Sequence, residues 1–217
     1  MNHIEVNPIK TCYDYPEHYW VIDGTPITFL LERHRPSGYS SLLGLMPAWN
    51  GELLLQWEND FVWEMVDSQE ELNVPILVCE DDQDLSCIVI VAHIRKENTV
   101  VHWDRIGVLD HSNFVLQEYN QSGILCVEAY TDQDWELYGS NIALEQYGSP
   151  EYWEWVNNNC YEEHIRRLRN YMKPYMQEET NIEWLWSCNW TFTADNYAAV
   201  VEHYRNLRRA DCPCWSK

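Results

Sequence analysis

Lysine and arginine are scarce and unevenly placed: 14 of them face 35 aspartates and glutamates, a formal net charge of −21 over 217 residues. From Pro36 to His93 there are eleven carboxylates and no fixed positive charge, and Ile106 to Ile165 repeats the pattern with another eleven. A protein that grips phosphate backbone needs a basic footprint, so the deficit speaks against direct nucleic-acid binding. Long apolar runs are absent too. The longest, Cys87 to Ala92, is far too short to span a bilayer. The first ten residues hold no basic segment leading into an apolar stretch, so the expectation is a cytoplasmic protein without a secretory signal.

Familiar reaction motifs are also missing. There is no Gly-x-Ser-x-Gly, no glycine loop that would cradle phosphate and no His-Glu-x-x-His, so nucleophilic and zinc-peptidase chemistry find no support. Eight cysteines include no C-x-x-C pair. With a cytoplasmic setting they are expected to be reduced, and Cys79, Cys87 and Cys126, set in apolar runs, read as small buried hydrophobes. Only eight glycines argue against a loop-rich scaffold.

What is abundant is apolar and aromatic. Hydrophobic residues make up 46% of the chain and tryptophan alone contributes twelve, enough for a real core and against wholesale disorder. The first 130 residues read as strands. Tyr19–Ile22, the turn Asp23-Gly24 and Thr25–Leu31 form a plausible hairpin, its second strand weakened by Pro26. Glu52–Trp57 and Phe61–Val66 read as a strand pair around Glu58-Asn59-Asp60. Pro75–Cys79, Ser86–Ile94, Thr99–Arg105 and Ile124–Tyr130 follow, and the β-branched run Ile88–Val91 predicts a central strand covered on both faces.

The remainder reads as helical. Ser149-Pro150-Glu151 is a start signal, and Trp153, Val156, Cys160, His164, Leu168, Tyr171 and Tyr175 trace one face, with Pro174 ending the helix near Tyr171 or Met172. A short strand, Ser187–Phe192, leads to Thr193 as N-cap of a last helix presenting Tyr197, Val200, Val201, Tyr204 and Leu207. Arginines gathered near the ends of both helices suit the helix dipole. Nothing marks a boundary, so one α+β domain over residues 1–217 is expected, mainly antiparallel sheet in the N-terminal two thirds with C-terminal helices packed on it.

The densest acidic cluster is Glu80-Asp81-Asp82-Gln83-Asp84, between two apolar strands. It lacks the glycine and distal glutamate of a calcium loop. A solvated hairpin turn with Asx-type hydrogen bonds, a surface that receives a basic partner and a metal site all remain open for it. Asp132 and Asp134 lie in the second lysine- and arginine-free stretch. Trp155 falls on the helix side that carries Asn158, Asn159 and Glu162, where it is either an interface anchor or covered by another element. Cys160 and His164, with His203, Cys212 and Cys214, could be arranged around zinc, but the spacing matches no standard ligand pattern, so no metal or other cofactor is assigned.

Two function classes follow. Tryptophan beside a carboxylate recurs at Trp57-Glu58, Trp63-Glu64, Trp103-Asp104, Trp135-Glu136, Trp153-Glu154 and Glu183-Trp184. That composition suits a carbohydrate-active enzyme with paired carboxylates in a Trp-lined cleft, although no spacing selects the pair. The leading expectation is instead a non-catalytic binding protein. Val74–Gly107, ending His102-Trp103-Asp104-Arg105-Ile106-Gly107, and Cys188-Asn189-Trp190-Thr191-Phe192 feeding a helix from Tyr197 resemble, in general form, the immunity proteins of bacterial polymorphic-toxin systems. That resemblance implies a basic protein partner, a toxin domain such as a nuclease, and no membrane or direct nucleic-acid partner. Glu80, Asp81, Asp82, Asp84, Asp132, Asp134 and Trp155 are the candidate partner-binding residues.

Overall fold

In the computed structural model of the chain, which describes residues 1–11, 16–37, 39–115 and 161–210, Asp23 and Gly24 reverse the backbone with φ of 48° and 79°. Positive φ at both central positions matches the twist of the flanking strands, as the Asp-Gly pair predicts. Strand β1 (Ile4–Ile9) pairs antiparallel with β2 (Glu17–Ile22), which pairs with the two residues of β3 (Thr25–Pro26). The expected second strand stops there. Pro26 cannot donate to a ladder, and its φ of −59° suits a helix start, so the chain turns into α1 (Ile27–Arg33), which buries Ile27, Thr28 and Leu31.

The segment read as two strands around Glu58-Asn59-Asp60 is a helix as well. In α2 (Gln56–Asp67) the polar triplet lies inside the helix, and Phe61, Val62, Met65 and Val66 share the buried face with Glu58 and Asn59. Their spacing is helical, and the aromatic residues that favour strands in isolation follow it. Asn59 is buried without penalty because its amide meets Leu53 both ways: Oδ1 accepts from Leu53 N–H at 3.2 Å and Nδ2 donates to Leu53 O at 2.9 Å.

The larger sheet is antiparallel throughout, in the order β4-β5-β6-β7-β8: Leu45–Pro47, Leu72–Cys79, Val89–Lys96, Val100–Leu109 and Ile182–Thr193. The run Ile88–Val91 falls at the start of the middle strand, and Val89, Ile90, Val91 and Ala92 are fully buried, as a two-sided strand requires. β5 begins three residues before the expected Pro75 and passes through it at a register shift between Pro75 and Leu77. The freed Pro75 carbonyl accepts from Trp49 Nε1 at 2.7 Å. Thr193 caps the last helix, α4 (Ala194–Ala210), its Oγ1 accepting from Asn196 N–H at 3.2 Å.

The architecture is α+β, as expected. Two compact units form, one from Met1–Asp110 with Ile182–Lys217 and one from His111–Asn181. In the first, the core is a cluster of rings. Trp20 meets Trp49 and Trp103 edge-on, Tyr204 lies 4.7 Å from Trp20, and Phe192 meets Trp103 edge-on. In the second, α3 (Tyr161–Gln177) carries Pro174 inside it, so the proline does not end the helix near Tyr171. Tyr171, Met172, Tyr175 and Met176 are all buried, and burial outweighs the one hydrogen bond Pro174 cannot donate. Ile124–Tyr130 and Ser149-Pro150-Glu151 lie outside the described residues. Among the described residues no helix is long and apolar enough to cross a membrane.

Candidate anionic interface

The acidic segment Glu80–Asp84 is a shaped loop joining β5 to β6. Gln83 takes the left-handed conformation at φ 51°, and its N–H donates to Cys79 O at 2.9 Å, closing a turn over the carboxylates. Asp84 Oδ1 accepts from both the N–H and the hydroxyl of Ser86 at 2.8 Å, the Asx-type bonding that turn chemistry predicts. The loop is pinned from outside itself: Leu54 N–H donates to Gln83 O at 2.8 Å, and Leu85 is buried. Asp81 and Asp82 are exposed, while Glu80 and Asp84 are half-buried.

Two carboxylates that sequence reasoning missed join this loop. Glu17, at the start of β2, and Glu52, after β4, line a recess of about 330 Å³ with Glu80, Met46 and Gln83. Glu17 belongs to the three-stranded sheet while Glu52 and Glu80 lie in loops off the five-stranded one, so only tertiary packing brings them together and no local motif announces it. Below the loop, Glu58 is 4% exposed and accepts from Leu85 N–H at 3.3 Å. Burial, with Asp84 nearby, pushes its carboxyl up to about 7.

The lysine- and arginine-free stretch from Pro36 to His93 does not act as one negative block. Asp67 is held by Arg205 at 2.6 Å and Asp60 by Arg208, both arginines from α4, while Glu71 meets His93 at 2.9 Å. Arg205 and Arg208 also lie 5.3 and 5.8 Å from the Trp63 ring centroid, so they do more than complement a helix dipole. Among the described residues no lysine or arginine pairs with Asp81, Asp82 or Asp84. Of the expected partner-binding residues the structure therefore groups Glu80, Asp81, Asp82 and Asp84. Asp132, Asp134 and Trp155 lie outside the described residues.

Two thiols flank the same loop. Cys79, Asp82 and Cys87 bring their sulfur and carboxylate atoms within 4.8 Å of one another. Both cysteines are half-buried and free, not the small buried hydrophobes the flanking apolar runs imply. Burial, Asp82 and Cys79 push the Cys87 thiol up to about 12, which keeps it protonated and a poor nucleophile at neutral pH. The paired residues Cys160 and His164, and Cys212 with Cys214, fall outside the described side chains. Trp63 and Trp103, two of the tryptophans beside carboxylates, are packed in the interior and offer no face to a sugar. The chain matches no protein-family model, no curated protein and no solved structure.

Proposed function

We propose that this chain is an acidic binding protein that neutralises a basic protein partner, in the manner of an immunity protein that blocks a toxin such as a nuclease. One observation carries the reading. Asp60 and Asp67 of α2 are matched by arginines of α4, whereas Asp81, Asp82 and Asp84 belong to a pinned loop with no cationic partner among the described residues. Glu17, Glu52 and Glu80 line the recess beside them. Clustered like charges cost stability through repulsion, and a cationic partner relieves that cost while its approach is accelerated. A toxin nuclease is cationic because it must hold phosphates, and carboxylates set where phosphate would sit occupy that site.

The test is the rate of association with a basic protein recovered with this chain by pull-down from its native host, followed by stopped flow against ionic strength. The on-rate is expected to fall steeply with salt while the off-rate changes little. Reversing Glu80, Asp81, Asp82 and Asp84 to lysine should slow association without altering the circular dichroism of the free protein. A salt-independent on-rate, or an unchanged rate in the reversed variant, removes this loop from the interface.

A further inference from the structure

We infer that Cys79, Asp82 and Cys87 form a binding site for a single soft divalent cation of the zinc type. The three donor atoms lie within 4.8 Å of one another. Two thiolates bonded to one tetrahedral zinc at about 2.3 Å each sit about 3.7 Å apart, so a small contraction suffices to close the triangle. Cys79 ends β5, and Asp82 and Cys87 lie in the loop that leads to β6. Cys79 N–H donates to Ile88 O at 3.0 Å, and Gln83 N–H to Cys79 O at 2.9 Å, which fixes the backbone on both sides of the ligands. The site shares Asp82 with the partner-binding reading but does not rest on it, since it needs only the geometry of the β5–β6 turn.

Donor chemistry selects the ion. Two sulfurs and one carboxylate favour zinc over magnesium or calcium, which take oxygen ligands. Binding replaces the two thiol protons, which leave to solvent, so two thiolates and one carboxylate surround the dication and the cluster carries a net charge of −1. Glu80, Asp81 and Asp84 add a field that draws cations to the loop. Asp82 is exposed, so a fourth position is open to water, as in zinc sites with three protein ligands. The chain has other thiols, notably Cys212 and Cys214, and the test must separate them.

The reduced, chelator-stripped full-length protein is titrated with Co²⁺ and then with Zn²⁺ against a chromophoric chelator. The expected result is one equivalent bound, with thiolate-to-cobalt charge-transfer bands and tetrahedral d–d bands that zinc bleaches. Cys79→Ser and Cys87→Ser should each weaken zinc binding by about 100-fold or more, and Asp82→Asn by about 10-fold. Cys212→Ser with Cys214→Ser should leave it unchanged. In the wild type, where no variant need fold, bound zinc should protect Cys79 and Cys87 from alkylation, mapped by peptide mass spectrometry. The inference is overturned if the reduced protein shows no thiolate–cobalt band, if the bands are lost with Cys212 and Cys214, or if zinc leaves Cys79 and Cys87 fully alkylated. It is equally overturned if those two sulfurs are found only as a disulfide that reduction does not make metal-binding.

Discussion

Replacing Glu58 by glutamine should change how stability depends on pH more than it changes stability itself. Glu58 is buried on α2, with one oxygen accepting from Leu85 N–H, and its carboxyl titrates at about 7 in the fold against an ordinary value of 4.5. The folded form therefore holds its proton after the unfolded chain has released it. Its contribution is fully present below 4.5 and is withdrawn as pH rises through 7. Each pH unit is worth about 1.4 kcal/mol, so the gap amounts to about 3 kcal/mol, or roughly 2–3 after solvent screening at the carboxyl edge. Glutamine keeps the acceptor for Leu85 and cannot ionise. Any cost of placing its amide where Oε2 stands applies equally at every pH. Urea unfolding of both proteins between about pH 4.5 and about pH 8 should show the wild type losing roughly 2–3 kcal/mol more than Glu58→Gln across that window. Repulsion among the other carboxylates cancels in the comparison. Parallel curves would mean that Glu58 is ionised in the fold, and the reasoning would fail.

Three further outcomes test the architecture. Gly107 sits where a Cβ would stand 2.5 Å from Ile182 Cγ2 and 2.9 Å from Glu183 O, so Gly107→Ala should cost about 1–3 kcal/mol in chemical denaturation, and a neutral effect would mean the β7–β8 register is wrong. Lys96 donates to Val66 O and Ser68 O at 2.5 Å, closing the C-terminal end of α2, so Lys96→Met should cost about 1–3 kcal/mol and speed amide exchange in the last turn of that helix. Asp23 accepts from His3 N–H at 2.8 Å, a bond that lowers its carboxyl below the ordinary value of 3.8. Its support is present above 3.8 and lost as pH falls through the folded value, so protection of the His3 amide relative to its intrinsic exchange rate should fall on acidification, and Asp23→Ala should show low protection already at neutral pH.

Turn chemistry and β-branching were legible because their causes are local. Asp-Gly at 23–24 needs only its own φ preference, and the apolar run beginning at Ile88 needs only burial on two faces. Thr193 as a cap was readable for the same reason. Gln56–Asp67 reads locally as strand because Trp57, Phe61 and Trp63 favour strands in isolation, while the helical spacing of Phe61, Met65 and Val66 tells only against a surface that is not visible in sequence. Pro174 reads locally as a stop because its cost is plain, whereas the compensation comes from tyrosines and methionines buried around it.

Composition and local pattern dictated a sizeable aromatic core, an α+β order of elements and a large negative charge, because each is a sum over residues or a neighbour effect along the chain. Which charges stay unmatched was decided in three dimensions. Arg205 and Arg208 reach Asp67 and Asp60 across well over a hundred residues, while the β5–β6 turn keeps Asp81, Asp82 and Asp84 out of reach of any described lysine or arginine. The meeting of Cys79, Asp82 and Cys87 has the same origin: antiparallel pairing folds the turn back on itself, and Coulomb forces and metal coordination act over ångströms of space, not over positions in a string.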